Sequence, residues 1–268
     1  GYFSGKHLDL VDLFVGSEGT LGVIAEVEVT LVPRPEVTHS LVLFLENEAQ
    51  ALELTHAFRV NRDMLGIDAI EYFDSGALAF MREHLAKHGA ASGVPACLRA
   101  DATVALYLDI GVASTHLLTA LGSIADLLTD HGVHAQTCWS AASNPERERL
   151  RLFRHALPEA VNHWISEVKR VTPSITKLGT DMAVPDEQLE HIMAFYRAHL
   201  DQAGLTYVIF GHIGNNHVHV NILPKTEAEY LRGKELYAVF AEEAVRVGGS
   251  PAAEHGIGKL KSAFLRKF

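Results

Sequence analysis

The segment 207–223 constrains the fold more than any other part of the chain, because it predicts a β-hairpin. Its two arms, 207–212 and 217–223, are rich in the β-branched and aromatic residues that favour strands. Asn215 and Asn216 between the arms suit a two-residue type I′ turn, since asparagine tolerates a positive φ. The segment therefore predicts an antiparallel strand pair within a larger sheet.

The second arm of this hairpin has two chemically different faces. Apolar residues at positions 218, 220 and 222 point into a core, whereas His217, His219 and Asn221 point the other way. The predicted turn places His212 opposite His219, with Cβ atoms roughly 5 Å apart. Two imidazoles could then reach one metal ion. The alternative is a solvated strand face with ordinary histidines.

A second motif, Glu-His-Gly-Ile-Gly at 254–258, adds a carboxylate and another imidazole. Its glycines allow the backbone to approach a ligand closely. Glu254 would complete a set of two histidines and one carboxylate with His212 and His219, which leaves coordination positions open for a substrate. Such sites hold zinc or iron, and manganese is a further candidate. The alternative is a plain glycine-rich turn after a helix.

The remaining patterns predict an α+β fold with a mainly antiparallel sheet and helices on one face, a ferredoxin-like arrangement. Besides the hairpin, the predicted strands cover 21–32, 40–45, 69–73, 104–110 and 175–184. The predicted helices cover 48–60, a short stretch ending near 88, 116–128, 144–165 with a break near Pro158, a helix capped by Asp186, and a last helix with Thr226 and Glu229 as capping box. Pro33 and Pro35 mark a predicted domain boundary, which divides the chain into 1–35 and 36–268.

Composition excludes several classes of protein. The net charge of −10 over 268 residues argues against nucleic-acid binding, which requires a basic surface. No apolar run approaches the roughly 20 residues of a transmembrane segment. Cys97 and Cys138 are too few for a disulfide framework and predict reduced thiols in a cytoplasmic protein.

A glycine-rich loop precedes the first predicted strand, and its exposed backbone N–H groups could hold an anion or the edge of a cofactor. The loop is neither a Walker loop nor a Rossmann fingerprint, because the spacing differs from both. A structural turn is the alternative. The residues of interest in this loop are Gly16, Ser17, Glu18, Gly19, Thr20 and Gly22.

Three motifs together resemble the FAD-linked oxidases of the vanillyl-alcohol oxidase superfamily, with the D-lactate, glycolate and D-2-hydroxyglutarate dehydrogenases as the closest branch. These motifs are the glycine-rich loop at 16–22, Gly-His-x-Gly-x-x-x-x-His-x-Asn at 211–221, and the motif at 254–258. The resemblance implies that residues 1–35 end an FAD-binding domain, with the loop lining the flavin, and that 36–268 form the substrate or cap domain. The pyrophosphate-binding half would lie upstream of Gly1, so this chain alone is expected to be inactive.

The resemblance also implies roles for individual side chains. The implied metal ligands are His212, His219 and Glu254, and His255 is the implied general base. A D-2-hydroxy acid would be oxidised to the 2-oxo acid, with the hydride passing to FAD and the proton to His255. The metal assists by favouring the alkoxide form of the substrate hydroxyl.

Three further residues are implied substrate contacts. Lys177 matches the lysine that meets the substrate carboxylate, and Asn221 matches a polar contact. Arg154 is a looser match for a second anion clamp. The alternatives are a strand-edge lysine and a surface helix charge.

The chain departs from the family at the tip of the hairpin. Asn215 and His217 stand where the family usually carries Asp and Asn, and Asn216 replaces a glycine. His217 is either a neighbour that tunes the site or a simple variant. These departures keep two rivals open: a non-catalytic metal- or ligand-binding domain, and a flavin-independent metallohydrolase. The identity of the electron acceptor stays open, and a homodimer is compatible with the sequence.

Overall fold

A computed structural model of the chain describes residues 9–92, 94, 98, 101–134, 138–141, 143–259 and 261–262. The structural statements below concern these residues. The first eight residues of the proposed FAD-domain piece and Cys97 lie outside the described residues.

The core of the fold is one seven-stranded sheet in which every pair of neighbouring strands is antiparallel. The strands are β1 (Val37–Leu45), β2 (Ile67–Phe73), β3 (Val104–Val112), β4 (Cys138–Ser140), β5 (Leu178–Gly179), β6 (Tyr207–His212) and β7 (His217–Ile222). They lie in the order β4-β1-β3-β2-β6-β7-β5. The predicted α+β class with a mainly antiparallel sheet is therefore confirmed.

Helices cover both faces of this sheet. They are α1 (Leu10–Phe14), α2 (Glu48–Val60), α3 (Arg62–Leu65), α4 (Ser75–His88), α5 (Leu117–Asp130), α6 (Asn144–Val171), α7 (Leu189–Gln202) and α8 (Glu227–Arg246). One apolar core joins the sheet to α2, α5, α7 and α8, and a second core joins the opposite face to α4 and α6.

The second helical layer differs from the prediction of helices on one face. The sheet carries large apolar side chains on its other face as well, including Phe44, Phe73 and Phe210. Leaving this surface in water would be costly, at about 25 cal/mol per Å² of apolar area. The helices α4 and α6 cover it, and α6 then forms one wall of the cleft described below.

The predicted strand at 21–32 is absent: this segment runs without regular secondary structure and is exposed to solvent. Val23 is 97% exposed and Leu31 is 85% exposed. Alternating apolar residues favour a strand only where a neighbouring strand supplies hydrogen bonds. Within the described part of the chain, no strand lies beside this segment.

The predicted break near Pro158 is also wrong, because α6 runs uninterrupted from Asn144 to Val171. Pro158 has no N–H to donate to the carbonyl of Arg154, four residues earlier. Buried neighbours on either side of the proline, Leu157 and Val161 among them, hold the helix against the sheet in spite of this lost bond.

The strand predicted at 175–184 is reduced to the two residues of β5, followed by an isolated bridge at Ala183. Between them, the backbone N–H of Thr180 still donates to the carbonyl of Val220, and side chains add further hydrogen bonds. Thr180 Oγ1 accepts the N–H of Val220, and Asp181 accepts backbone N–H groups of the segment 254–255. Thr180 and Asp181 therefore connect the end of β5 to β7 and to the segment 254–255.

The proposed capping box of the last helix is half formed. Thr226 Oγ1 accepts the N–H of Glu229, as predicted, but the Glu229 carboxylate accepts the N–H of Lys225 instead of that of Thr226. None of the helices described is long and apolar enough to cross a membrane.

Candidate active site

The hairpin turn is longer than predicted, and this changes the strand register. A 3-10 turn at Ile213–Asn215 is followed by Asn216 in the left-handed region, with φ of 52°. His212 consequently pairs with His217, and His219 pairs with Phe210. The predicted pairing of His212 with His219 is wrong, because a four-residue turn in place of a two-residue turn shifts the partner of each β7 residue by two positions along β6.

The predicted separation of faces holds in spite of this shift. The apolar residues of β7 join the core on one face, and His217, His219 and Asn221 lie on the other. Gly211, at φ 125°, makes room for this arrangement, since a Cβ there would lie 2.8 Å from Cδ2 of His219.

Four potential metal ligands converge at this end of the hairpin. His212, His217, His219 and Glu254 each offer one nitrogen or oxygen, and these atoms lie within 4.8 Å of one another. Glu254 Oε2 is 3.2 Å from His212 Nε2 and 3.5 Å from His217 Nδ1. The three predicted ligands thus come together, and His217 joins them.

Hydrogen bonds to residues outside the cluster orient two of these imidazoles. His212 Nδ1 lies 2.9 Å from a carboxylate oxygen of Glu71, and His219 Nδ1 lies 2.8 Å from the carbonyl oxygen of Thr180. Each acceptor requires a proton on Nδ1, which leaves the lone pair on Nε2. Histidine ligands of metal ions are usually held in this way.

The two oriented histidines have opposite electrostatic environments. The hydrogen bond to the Glu71 carboxylate raises the pKa of His212, although burial opposes the effect. Burial, together with the neighbouring imidazoles, lowers the pKa of His219 to about 4, although the hydrogen bond to Thr180 opposes the effect. At neutral pH His219 is therefore a neutral imidazole, which is the form that binds metal ions.

Asp181 holds the motif at 254–258 in place. Its carboxylate accepts the N–H groups of Glu254 and His255, each at 3.0 Å, and Lys261 Nζ at 2.7 Å. His217 Nε2 lies 3.2 Å away. Burial opposes ionisation of Asp181, but the contacts with His217, Lys261 and the backbone outweigh it and hold its pKa well below the ordinary range.

The glycine-rich loop contacts the same motif from the other side. Glu18 accepts the N–H groups of Ile257 and Gly258, at 2.5 and 2.7 Å. Gly256, at φ 67°, has no room for a side chain, because a Cβ would lie 2.7 Å from Glu18 Oε1. These backbone hydrogen bonds lower the pKa of Glu18. Glu18 thus helps to fix the turn that carries Glu254.

A cleft of about 480 Å³ opens over the cluster, between the hairpin and α6. Asn221 lies in its floor, and its side-chain oxygen is buried without a hydrogen-bond partner in the described structure. Such an atom is costly to leave unpaired unless a ligand completes it. Gly179 leaves space for this amide, since a Cβ there would lie 2.9 Å from Asn221 Oδ1.

Both predicted basic contacts, Lys177 and Arg154, line the cleft. Lys177 Nζ lies 3.2 Å from Asn162 Oδ1, and desolvation by the cleft walls lowers its pKa. Arg154 forms an ion pair with Glu71 and lies 3.6 Å from a carboxylate oxygen of Asp109. Since Arg154 already has anionic partners, Lys177 is the better placed cation for a bound carboxylate.

His255 completes the cleft at its exposed rim. Its ring centroid is 5.5 Å from that of His219. Its backbone is fixed by Asp181, whereas its side chain is exposed to solvent. This position is suitable for exchanging a proton between a bound ligand and water.

Sequence reasoning missed Glu71 and Asp181 as site residues. Glu71 is 4% exposed and links Arg154 to His212. An acidic residue inside a predicted apolar strand was the available signal for Glu71. Asp181, which is 1% exposed, carried the same signal within the strand predicted at 175–184, but its partners lie more than 30 residues away and could not be identified from the sequence.

Comparison with known proteins places this geometry in a family context. Residues 34–268 match the family described as FAD linked oxidases, C-terminal domain. This match agrees with the resemblance drawn from the three motifs.

Named relatives cover almost the whole chain. The chain is 28% identical over 263 residues to a mitochondrial D-2-hydroxyglutarate dehydrogenase of Bos taurus, covering 96% of this chain and 44% of that protein. It is 28% identical over 265 residues to the glycolate oxidase subunit GlcD of Bacillus subtilis (strain 168), covering 96% and 50%. A D-lactate dehydrogenase of Anaerostipes hadrus is 24% identical over 268 residues, covering 96% and 51%. The chain therefore spans about half the length of these relatives.

Solved structures share the fold at low sequence identity. A p-cresol methylhydroxylase with substrate bound superposes with a TM-score of 0.61 at 15% identity, covering 88% of this chain and 51% of that one. An alkyldihydroxyacetonephosphate synthase gives a TM-score of 0.55 at 14% identity, covering 92% and 46%. These likenesses support the fold alone.

Proposed function

Because the chain belongs to the FAD-linked oxidases, as their C-terminal domain, we propose that it forms the substrate site of an enzyme that oxidises a small D-2-hydroxy acid to the 2-oxo acid. Relatives named for D-2-hydroxyglutarate, glycolate and D-lactate support this substrate class. The observation that carries the proposal is the convergence of His212, His219 and Glu254 beneath a cleft with Lys177 at its wall. We further propose that residues 1–35 are the last piece of the FAD-binding domain and that 36–268 are the cap domain.

The donor set fits a divalent metal ion. Three imidazoles and one carboxylate suit zinc, and iron or manganese are the alternatives. We assign His212, His219 and Glu254 as ligands, with His217 as a fourth donor. A bound ion would act as a Lewis acid toward the substrate hydroxyl and lower its pKa.

The cleft offers separate groups for the two ends of a 2-hydroxy acid. Lys177 binds the carboxylate, since no carboxylate of the described residues lies within ion-pair distance of its Nζ. The unpartnered oxygen of Asn221 accepts a hydrogen bond from the substrate. Arg154, held by Glu71, adds positive charge to the same wall and acts as the second anion clamp.

His255 is the proposed general base. It accepts the proton of the substrate hydroxyl at the rim of the cleft and releases it to water. Its side chain is exposed to solvent, and its backbone N–H is held by the Asp181 carboxylate. General base action of this kind contributes roughly 10²–10⁴ in rate.

The glycine-rich loop fits the edge of a flavin. Gly19 and Gly22 have no atom within 4 Å of the position of a Cβ, so their backbone is open to a flat ring. Gly16, Ser17, Glu18 and Thr20 complete the proposed loop surface. Bound FAD supplies the two-electron redox chemistry.

An anaerobic substrate screen on the full-length gene product tests the proposal. The flavin absorption of the intact protein is followed on mixing with D-lactate, glycolate and D-2-hydroxyglutarate, with the L-acids as matched controls. We expect bleaching by one D-acid or by glycolate, and a decrease of at least about 10²-fold in its rate for His255→Ala. A flavin-free full-length protein, or no bleaching by any of the acids, would contradict the proposal and favour a metallohydrolase or a ligand-binding domain.

The cytoplasmic location and the homodimer stay predictions, and the electron acceptor is open. The relatives do not indicate one cellular location: the Bos taurus protein is named as mitochondrial, whereas the other is from the bacterium Bacillus subtilis.

A further inference from the structure

A second group of imidazoles lies on the surface between α4 and α6, away from the cleft. His84 and His88 are one helical turn apart on α4, and His163 meets them from α6. The ring centroids are 4.5 Å apart for His84 and His88, 5.1 Å for His88 and His163, and 5.6 Å for His84 and His163. The three rings line a depression of about 190 Å³, together with Glu167.

We propose that His84, His88 and His163 form a second site for a divalent transition metal ion, which links α4 to α6. Three imidazoles on one tetrahedral ion, with metal–nitrogen distances of about 2.0–2.1 Å, have ring centroids roughly 5 Å apart. The observed separations lie around this value. Imidazole ligands favour copper, zinc and nickel, so these are the ions to test.

The surroundings of the three rings are compatible with ligation. Within the described structure, the ring nitrogens of His84 and His88 make no hydrogen bond, and His163 Nε2 lies 3.6 Å from a carboxylate oxygen of Glu167. Burial and the neighbouring imidazoles lower the pKa of His84, which favours the neutral form. Lys87, the nearby cation, is paired with Glu167 at 3.2 Å and its side chain is 64% exposed, so it can turn away.

Ligation requires the rings to rotate. They meet at interplanar angles between 47° and 82°, with tilted or edge-on contacts, and their nitrogens do not yet point at one centre. His163 is exposed, and His84 and His88 are partly exposed, so all three rings have open space on the solvent side in which to rotate. In the proposed complex, the three rings turn so that one nitrogen of each faces the bound ion.

A metal ion here would act on the cleft through α6. The same helix carries Arg154, which lies in the wall of the cleft. Fixing α6 against α4 would restrict the movement of this wall. The inference does not depend on the proposed function, because its three residues lie outside the cleft.

Zinc titration by calorimetry tests the second site. The parent protein carries His212→Ala, His217→Ala and His219→Ala, so that no imidazole of the cleft cluster is left to compete for the ion. We expect it to bind one zinc ion per chain, and we expect His84→Ala or His163→Ala in this background to weaken association by at least about tenfold. With copper, electron paramagnetic resonance should show coupling to three nitrogens in the parent and to two in His88→Ala.

The matched control is His56→Ala, an exposed histidine on α2, which should leave zinc affinity unchanged. Circular dichroism checks folding, and His84→Gln and His163→Gln replace any alanine variant that unfolds. Absence of zinc binding in the parent would overturn the proposal. Equal affinity in the parent and in the His84 and His163 variants would overturn it as well.

Discussion

At the scale of single residues, His217 distinguishes this chain from the motif it otherwise follows. The longer hairpin turn brings His217 opposite His212, and its Nδ1 lies 3.5 Å from Glu254. It is 5% exposed, so it is not an ordinary surface residue. Its position among His212, His219 and Glu254 makes it a candidate fourth donor to a metal ion.

Replacement by the family residue tests this role. We expect His217→Asn to bind zinc at least about tenfold more weakly than the unmodified chain, because one donor is lost while His212, His219 and Glu254 stay. Calorimetry in the His163→Ala background measures the cleft site alone. The control is His56→Asn. Unchanged affinity in His217→Asn would show that His217 only fills space beside the ligands.

Glu71 gives a second prediction at this scale. Its carboxylate raises the pKa of His212, so Glu71→Gln should lower that pKa toward or below the ordinary value of about 6.5. The imidazole resonances of His212, followed by NMR over pH 5–8 without added metal, report the shift. Glu159→Gln, on the same helix as Arg154, serves as the control. A pKa for His212 that rises or stays unchanged in Glu71→Gln would contradict the assigned hydrogen bond.

At the scale of elements, sequence patterns predicted the features that depend on residues close together in the sequence, such as helix boundaries and strand faces. The helix predicted at 48–60 forms as α2 (Glu48–Val60), because its N-cap, Asn47, directly precedes it and its apolar positions lie within it. The alternation of side chains along a strand also predicted which face of β7 carries His219. The register between β6 and β7 could not be predicted from this alternation, because it depends on the length of the turn. Glu71 contacts Arg154, which is 83 positions away, and Asp181 contacts Glu254, which is 73 positions away. No local sequence pattern predicts contacts of this kind.

The helix α4 allows a prediction of pH dependence. Its N-cap, Asp74, accepts the N–H of Ala77 at 2.7 Å and lies 3.3 Å from Arg197. Burial raises the pKa of Asp74 to about 6, and Arg197 offsets only part of this effect. The folded protein therefore holds a proton that the unfolded chain releases near pH 3.9. Its free energy of unfolding should fall as the pH rises from 4 to 6, by up to about 3 kcal/mol from this group.

Urea denaturation at half-unit steps between pH 4 and 7 measures this contribution. Asp74→Asn keeps an acceptor for Ala77 but cannot titrate. We expect the difference in stability between variant and parent to move in favour of the variant as the pH rises from 4 to 6, and to level off above pH 6. A difference that is constant over the whole range would mean that Asp74 ionises normally in the folded state.

At the scale of the whole molecule, the site lies between the sheet and the helical layer that contains α6. The hairpin β6–β7 supplies the floor with the imidazoles, and α6 supplies the wall with Arg154. The cleft follows from the second layer, which the sequence did not predict. Apolar stripes show that a helix packs against a sheet, but they do not say which face it covers.

The exposed segment 21–32 belongs to the same scale. Its alternating apolar residues fit a strand of a sheet, and the described chain offers it no neighbour. The proposal that it ends an FAD-binding domain accounts for both properties. The family match begins at residue 34, next to the proposed boundary, which supports the division of the chain.

The central claim is that one divalent metal ion binds at the end of the hairpin, and anomalous diffraction tests it most directly. Crystals of the chain grown with zinc would be measured above and below the zinc absorption edge. We predict an anomalous peak within about 2.0–2.2 Å of a nitrogen of His212, a nitrogen of His219 and an oxygen of Glu254. A zinc-soaked crystal without a peak among these three side chains would contradict the account.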